Sequence, residues 1–215
     1  NEIKQKKKIP ILVGGTGLYY KALTEGLVEI TNIPLKFRNK IRLLQESIGQ
    51  EKFYKKLLKM DPTIIDHIKS TDVQRSIRAY EVKLFTKKSI LEWHKNTKSK
   101  FKKDEFLKLY IDYPRFELIE KINLRIKQML EIGAVLEVKK FERLKISKNK
   151  SVSKAIGLSE IKDYIKKKID KEEVFEKISI KTRQYAKRQV TWARGHMTSW
   201  KKLKPKGLNI FLKKI

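Results

Sequence analysis

A short apolar run at residues 9–13, Ile-Pro-Ile-Leu-Val, leads directly into Gly14-Gly15-Thr16-Gly17 and then into a stretch of helical character at 18–27. A continuous run of this kind predicts a strand buried in a parallel sheet. Strand, glycine-rich turn and helix in succession open an α/β unit, and no other local signal in the chain restricts its fold as strongly. Residues 30–34 read as a linker. Helical spacing then takes over. Phe37, Ile41, Leu44 and Ile48 recur on one face, followed by Phe53, Leu57 and Leu58. Asp61-Pro62 marks a helix start, and Ser70-Thr71-Asp72 caps a helix whose apolar face carries Val73, Ile77, Tyr80 and Leu84. A second core strand is expected over 106–111, ended by Asp112 and Pro114. Further helices are expected over 115–132, from Gly133 to 144, over 159–165 and over 172–192, with a polar loop at 145–153 and a short strand at 208–212. The expected fold class is α/β with an inserted all-helical subdomain, divided as 1–30, 31–98 and 99–215.

Composition narrows the function. The 215 residues carry 53 Lys plus Arg against 24 Asp plus Glu, a formal charge of +29. Such an excess calls for a polyanion: RNA, DNA or an acidic membrane surface. The cations are spread over many elements rather than gathered on one terminal amphipathic helix, which argues against the membrane. With 0 Cys there is neither a disulfide framework nor a thiolate metal site, as suits a reducing cytoplasm. His67, His94 and His196 show no ligand spacing for zinc. No run of about 18 apolar residues is present, and the first residues of the sequence do not read as a signal-peptide pattern. Lysine runs such as Lys6-Lys7-Lys8 read as solvated faces.

Several patterns carry chemistry, each with a plain structural alternative. Gly14-Gly15-Thr16-Gly17 sits where open α/β sheets place ligands, and its amides suit an anion; an ordinary tight turn explains it equally. It is neither a Walker A loop nor a dinucleotide fingerprint. In the last long helix a rotation of 100° per residue puts Ile178, Thr182, Tyr185, Gln189 and Trp192 on one face and Arg183, Lys187 and Arg194 on the other. That is either a backbone tracker for RNA or an amphipathic helix of a basic protein. Arg75 and Arg78, three apart, and Lys121 and Arg125, four apart, suit phosphate binding or solvated surface pairs.

Residues 11–19 (Ile-Leu-Val-Gly-Gly-Thr-Gly-Leu-Tyr), 72–82 (Asp-Val-Gln-Arg-Ser-Ile-Arg-Ala-Tyr-Glu-Val) and 182–192 (Thr-Arg-Gln-Tyr-Ala-Lys-Arg-Gln-Val-Thr-Trp) together resemble bacterial tRNA dimethylallyltransferase. Lys154-Ala155-Ile156-Gly157 and the 115–137 segment fit that family in the same order. The resemblance implies a P-loop kinase-like parallel sheet with a helical insertion gripping the anticodon stem-loop. It implies transfer of a dimethylallyl group from dimethylallyl diphosphate to N6 of adenosine 37 in tRNA, with Mg²⁺ whose protein ligands are expected mostly in a segment missing here, by a cytoplasmic enzyme that is a monomer when complete. The target base must leave its stack to react, so a clamp on the flanking backbone is physically sensible.

By the same resemblance Thr16 lies beside the reactive adenosine, and Arg38 contacts tRNA. So do Gln74, Arg75, Ser76, Ile77 and Arg78, the turn holding Lys154 and Gly157, and Arg183, Lys187 and Arg188. Lys121 and Arg125 face the diphosphate; the family usually has Arg at the position of Lys121 and Tyr at that of Leu158. The family's P-loop and the Asp of its Asp-Ser-x-Gln stretch, the general base, appear nowhere in these 215 residues. No catalytic residue is therefore assigned. The chain begins at Asn1 rather than Met and is expected to be part of something longer, a split product or the translation of a decayed gene. Its leading strands are expected to be missing and its transfer activity alone to be low. A basic RNA-binding remnant without catalysis is the alternative.

Overall fold

The computed structural model describes residues 2–147 and 150–213, with the side chains of Lys4 and Lys103 excepted. The chain divides into two compact units: residues 18–106 form one, and those up to Gly17 together with those from Leu107 onward form the other.

The 18–106 unit is helical throughout its described elements: α1 (Gly17–Thr24, whose first residue belongs to the other unit), α2 (Leu35–Ile48), α3 (Gln50–Met60), α4 (Val73–Thr86) and α5 (Ile90–Lys95). Gly49, at φ 76°, lets the chain turn sharply between α2 and α3. Asp72 caps α4 by accepting from the Arg75 N–H, and Ser89 and Glu92 form a reciprocal capping box on α5. The apolar faces meet in a core of Tyr54, Leu57, Ile64, Ile68 and Ala79, into which the Tyr54 hydroxyl donates to the Ile68 carbonyl at 2.6 Å. Asp61-Pro62 starts only a 3-10 turn, Pro62–Ile64.

In the second unit a short helix at Glu2–Gln5 precedes β1 (Leu109–Ile111), α6 (Arg115–Ile132), α7 (Ala134–Arg143), α8 (Leu158–Ile165), α9 (Lys171–His196), β2 (Lys201–Leu203) and α10 (Pro205–Leu212). Its core joins Ile122 and Ile126 of α6, Val138 of α7, Ile161 of α8, and Val174 and Ile178 of α9. The two strands run parallel, with Leu109 opposite Lys201, Tyr110 opposite Lys202 and Ile111 opposite Leu203.

Four expectations are corrected. Residues 9–13 are not a strand: they lack regular structure, with Ile9 79%, Ile11 78%, Leu12 61% and Val13 92% exposed. Strand propensity takes effect only against a neighbouring strand, and the one sheet among the described residues, β1 with β2, does not reach them. The expected parallel core is therefore two strands here, and β1 starts three residues later than Phe106. Residues 208–212 are helical rather than extended, because Pro205 preorganises the first turn of α10. The loop at 145–153 ends in a 3-10 turn, Ser151–Lys154; Lys148 and Asn149 within it lie outside the described residues.

Candidate nucleic-acid interface

The longest helix, α9, turns Val174, Ile178, Ala193 and Met197 at its end inward, which leaves Arg183, Lys187 and Arg194 on an open side. These three and Arg115, the first residue of α6, line a cavity of about 590 Å³. Asp112 and Tyr113, just past the carboxyl end of β1, and Gln184 and Thr191 of α9 complete its polar lining, while Leu118, Ile119, Ile122 and Val190 give it an aliphatic wall. The site thus sits where a parallel strand ends and a helix begins, and the N-terminal dipole of α6 adds to the positive field. Among the described residues no carboxylate forms an ion pair with any of the four cations. Nearby, burial pushes the Tyr110 hydroxyl up, Asp112 adds to this, and Arg194 opposes it.

The glycine turn docks on the same helix. A Cβ on Gly17 would lie 2.0 Å from the Trp192 ring, and one on Gly15 would lie 2.2 Å from Gln189 Nε2. These glycines are required by close approach rather than by positive φ, and they seat the turn against α9 with Thr16 exposed between them. Trp192 in turn stacks on His196, centroids 4.4 Å apart and planes 4° from parallel. Two motifs about 170 residues apart in sequence are therefore neighbours.

Other expected residues fall less simply. Lys121 and Arg125 are exposed on α6 and do not line the cavity. The Lys121 ammonium sits 5.2 Å from the Tyr113 ring centre, and the Tyr113 hydrogen bond holds its pKa above the ordinary lysine value. Arg115, at the start of the same helix, does line the cavity. Its position directly after Asp112-Tyr113-Pro114, at the end of a strand, was the signal for it. Arg188 is exposed, its guanidinium 5.6 Å from the Tyr185 ring. Lys154 is exposed at the end of its 3-10 turn, whereas Gly157 is buried at φ 98°. The Gly157 N–H donates to Glu160 Oε2 at 3.0 Å, and Glu160 also accepts from Ser159 and from Lys181 of α9. That carboxylate ties the Lys154 turn to the basic helix.

In the helical unit, Gln74 and Arg75 are exposed at the start of α4, and Arg75 Nη1 pairs with Asp72 Oδ2 at 2.9 Å. Ser76 does not reach the surface: it is fully buried, donates to the Asp72 carbonyl and accepts from Gln50. Ile77 is half-buried. Arg78 and Arg38 both contact Glu81.

No group of three or more His, Cys, Asp or Glu side chains among the described residues is arranged to hold a metal ion. The cavity offers one carboxylate, Asp112, so among the described residues its lining does not by itself make a Mg²⁺ site. Among the described residues no helix is long and apolar enough to cross a membrane.

A model described as IPP transferase matches residues 1–196. The chain belongs to the IPP transferase family. The match takes in the glycine turn and the whole of α9, leaving β2 and α10 beyond it. Over 213 residues the chain is 58% identical to a tRNA dimethylallyltransferase of Pelagibacter ubique, covering 99% of this chain and 68% of the relative. It is 39% identical over 205 residues to a tRNA dimethylallyltransferase of Rhizobium etli, covering 94% and 69%. Among solved structures it is similar to a eukaryotic dimethylallyltransferase acting on tRNA, with 30% identity and a TM-score of 0.72 over 89% of this chain and 49% of that one. The tRNA isopentenylpyrophosphate transferase of Bacillus halodurans gives 29% identity and a TM-score of 0.55 over 94% and 62%. This IPP transferase chain therefore spans about two thirds of these curated relatives and from half to two thirds of these solved structures.

Proposed function

We propose that this chain holds tRNA and a leaving diphosphate for the transfer of a dimethylallyl group from dimethylallyl diphosphate to N6 of adenosine 37, in the anticodon stem-loop. The observation that carries the reading is the cavity between α6 and α9. Its lining joins four cations to an aliphatic wall, the same division of polarity as an allylic diphosphate. In the transfer, N6 bonds to C1 of the donor, the C1–O bond breaks with its electron pair passing to the diphosphate, and N6 releases a proton. Arg115, Arg183, Lys187 and Arg194 stabilise the charge that develops on the departing oxygens. Were magnesium to bind there, Asp112 is the one carboxylate of the lining that could help hold it, and the ion would supply further neutralisation of the diphosphate.

For the RNA, the exposed Thr16 stands beside the basic helix, and Arg188 and Lys154 suit its backbone. Arg38, Gln74, Arg75 and Arg78 of the 31–98 insertion grip the anticodon loop; the buried Ser76 and half-buried Ile77 hold that helix start in shape. We read β1 and β2 as part of a P-loop kinase-like sheet, and the protein as a cytoplasmic monomer.

The proton on N6 needs an acceptor, and the Asp-Ser-x-Gln stretch expected to provide one is not in these 215 residues. That observation favours a second reading, RNA and diphosphate binding without turnover. Calorimetry with inorganic pyrophosphate and with an anticodon hairpin, beside transfer of labelled dimethylallyl groups to tRNA, tests both. Binding of both ligands with little label transferred is expected; label transferred at enzymatic rates would end the second reading. A well-folded chain that ignored both ligands in dilute buffer would end the first.

A further inference from the structure

The helical unit contains a carboxylate that its packing does not explain. Glu81, on α4, is 1% exposed. Arg38 of α2 donates its Nε–H to Glu81 Oε2 at 3.3 Å, and Arg78, one turn earlier on α4, donates from Nη1 to the same oxygen at 3.4 Å. The other oxygen, Oε1, is buried without a hydrogen-bond partner. Removing a carboxylate from water is costly, and pairing offsets the cost well only when its acceptors are satisfied. With one acceptor orphaned, an apolar side chain of similar size would serve this core better. The group is therefore poorly accounted for as a stabilising element.

Its geometry accounts for it in another way. Arg38 and Arg78 come from two different helices, and both end on a single oxygen. Without the negative charge between them, two guanidiniums so close would repel and swing apart into solvent. With it, both are held while staying 38% exposed. Each guanidinium has five N–H donors and directs one at Glu81, so most of the fork remains for another acceptor. The triad keeps a net charge of +1.

We propose that Glu81 is a positioning residue that fixes Arg38 and Arg78 as a two-guanidinium clamp for an RNA phosphate. The inference rests on the RNA-gripping role proposed above for the 31–98 segment. Its consequence is opposite in sign to simple electrostatics. Glu81→Gln makes the protein more positive by one charge, which by itself tightens RNA binding; loss of the clamp weakens it.

The test measures the affinity of the full 215-residue chain for an anticodon hairpin at fixed low salt, with thermal unfolding followed on the same samples. The variants are Glu81→Gln, Glu81→Asp and the double variant Arg38→Ala with Arg78→Ala. A loss of about tenfold or more in the double variant, with a loss of about fivefold in Glu81→Gln at an unchanged unfolding midpoint, supports the proposal. Glu81→Asp keeps the charge but withdraws the shared oxygen by one methylene; a loss smaller than that of Glu81→Gln is expected, and it carries the test alone if Glu81→Gln does not fold. If the double variant loses affinity while both Glu81 variants bind as well as or better than the parent, the positioning role is overturned and the RNA-gripping role stands. If the double variant binds as the parent does, the RNA-gripping role fails and the clamp fails with it.

Discussion

Gly17 leaves no space for even a methyl group, because the Trp192 ring occupies the position of its Cβ. Gly17→Ala is expected to destabilise the chain by about 1–3 kcal/mol, the usual cost of overpacking, with a change in tryptophan fluorescence. Gly15→Ala should do less, since the end of the Gln189 side chain can move aside; urea unfolding of the two variants compares them. In the cavity, Arg194→Ala is expected to weaken pyrophosphate binding about tenfold, about 1.4 kcal/mol, whereas Arg125→Ala, outside the lining, should leave it unchanged in calorimetry. Glu160 gives a pH signature. Burial, the largest influence, raises its pKa, but the hydrogen bonds from Lys181, the backbone and Ser159 outweigh it and hold the carboxyl below its ordinary value. A lowered folded-state pKa stabilises the fold above the unfolded pKa, and that contribution is lost as pH falls through the folded value. Glu160→Gln should therefore be less stable than the parent at neutral pH by about 1–2 kcal/mol, a difference that shrinks in acid.

The cap on α9 belongs to the scale of the element. Asp170 accepts from the Glu173 N–H at 2.8 Å while Glu173 accepts from the Asp170 N–H at 3.3 Å. Asp170→Ala is expected to lower stability by about 1 kcal/mol in urea unfolding, and with it the order of the helix that carries Arg183, Lys187 and Arg194. Helices of this kind were legible in the sequence because their signals are local. For α6, the expected span 115–132 coincides with the observed one, set by Pro114 before it and Gly133 after it. Strands were not legible in the same way, since a strand depends on a partner far along the chain. The apolar 9–13 run has no partner and is not a strand, while Lys201-Lys202-Leu203, with two exposed lysines, is one because Leu109–Ile111 lies beside it. The same difference divided the site. The basic stripe of α9 followed from periodicity, but the cavity needed Arg115, which only tertiary packing brings to it.

On the scale of the whole molecule, the charge of +29 predicts hairpin affinity that collapses with salt. If about six phosphates are contacted, affinity should fall about a thousandfold between 0.05 and 0.2 M monovalent salt, read as the slope of log K against log salt. No cluster of three or more metal-ligating side chains occurs among the described residues, so chelators are expected to leave the unfolding midpoint unchanged. The bare stretch from Ile9 to Val13 has a further consequence. Its peptide groups belong to no ladder, so in heavy water they should take up deuterium at the first time point, while the amides in the middle of α6 and α9 keep their hydrogen. The same stretch should be an early cut for a protease that favours aliphatic side chains, detaching the lysine-rich leader and leaving the glycine turn seated on its helix.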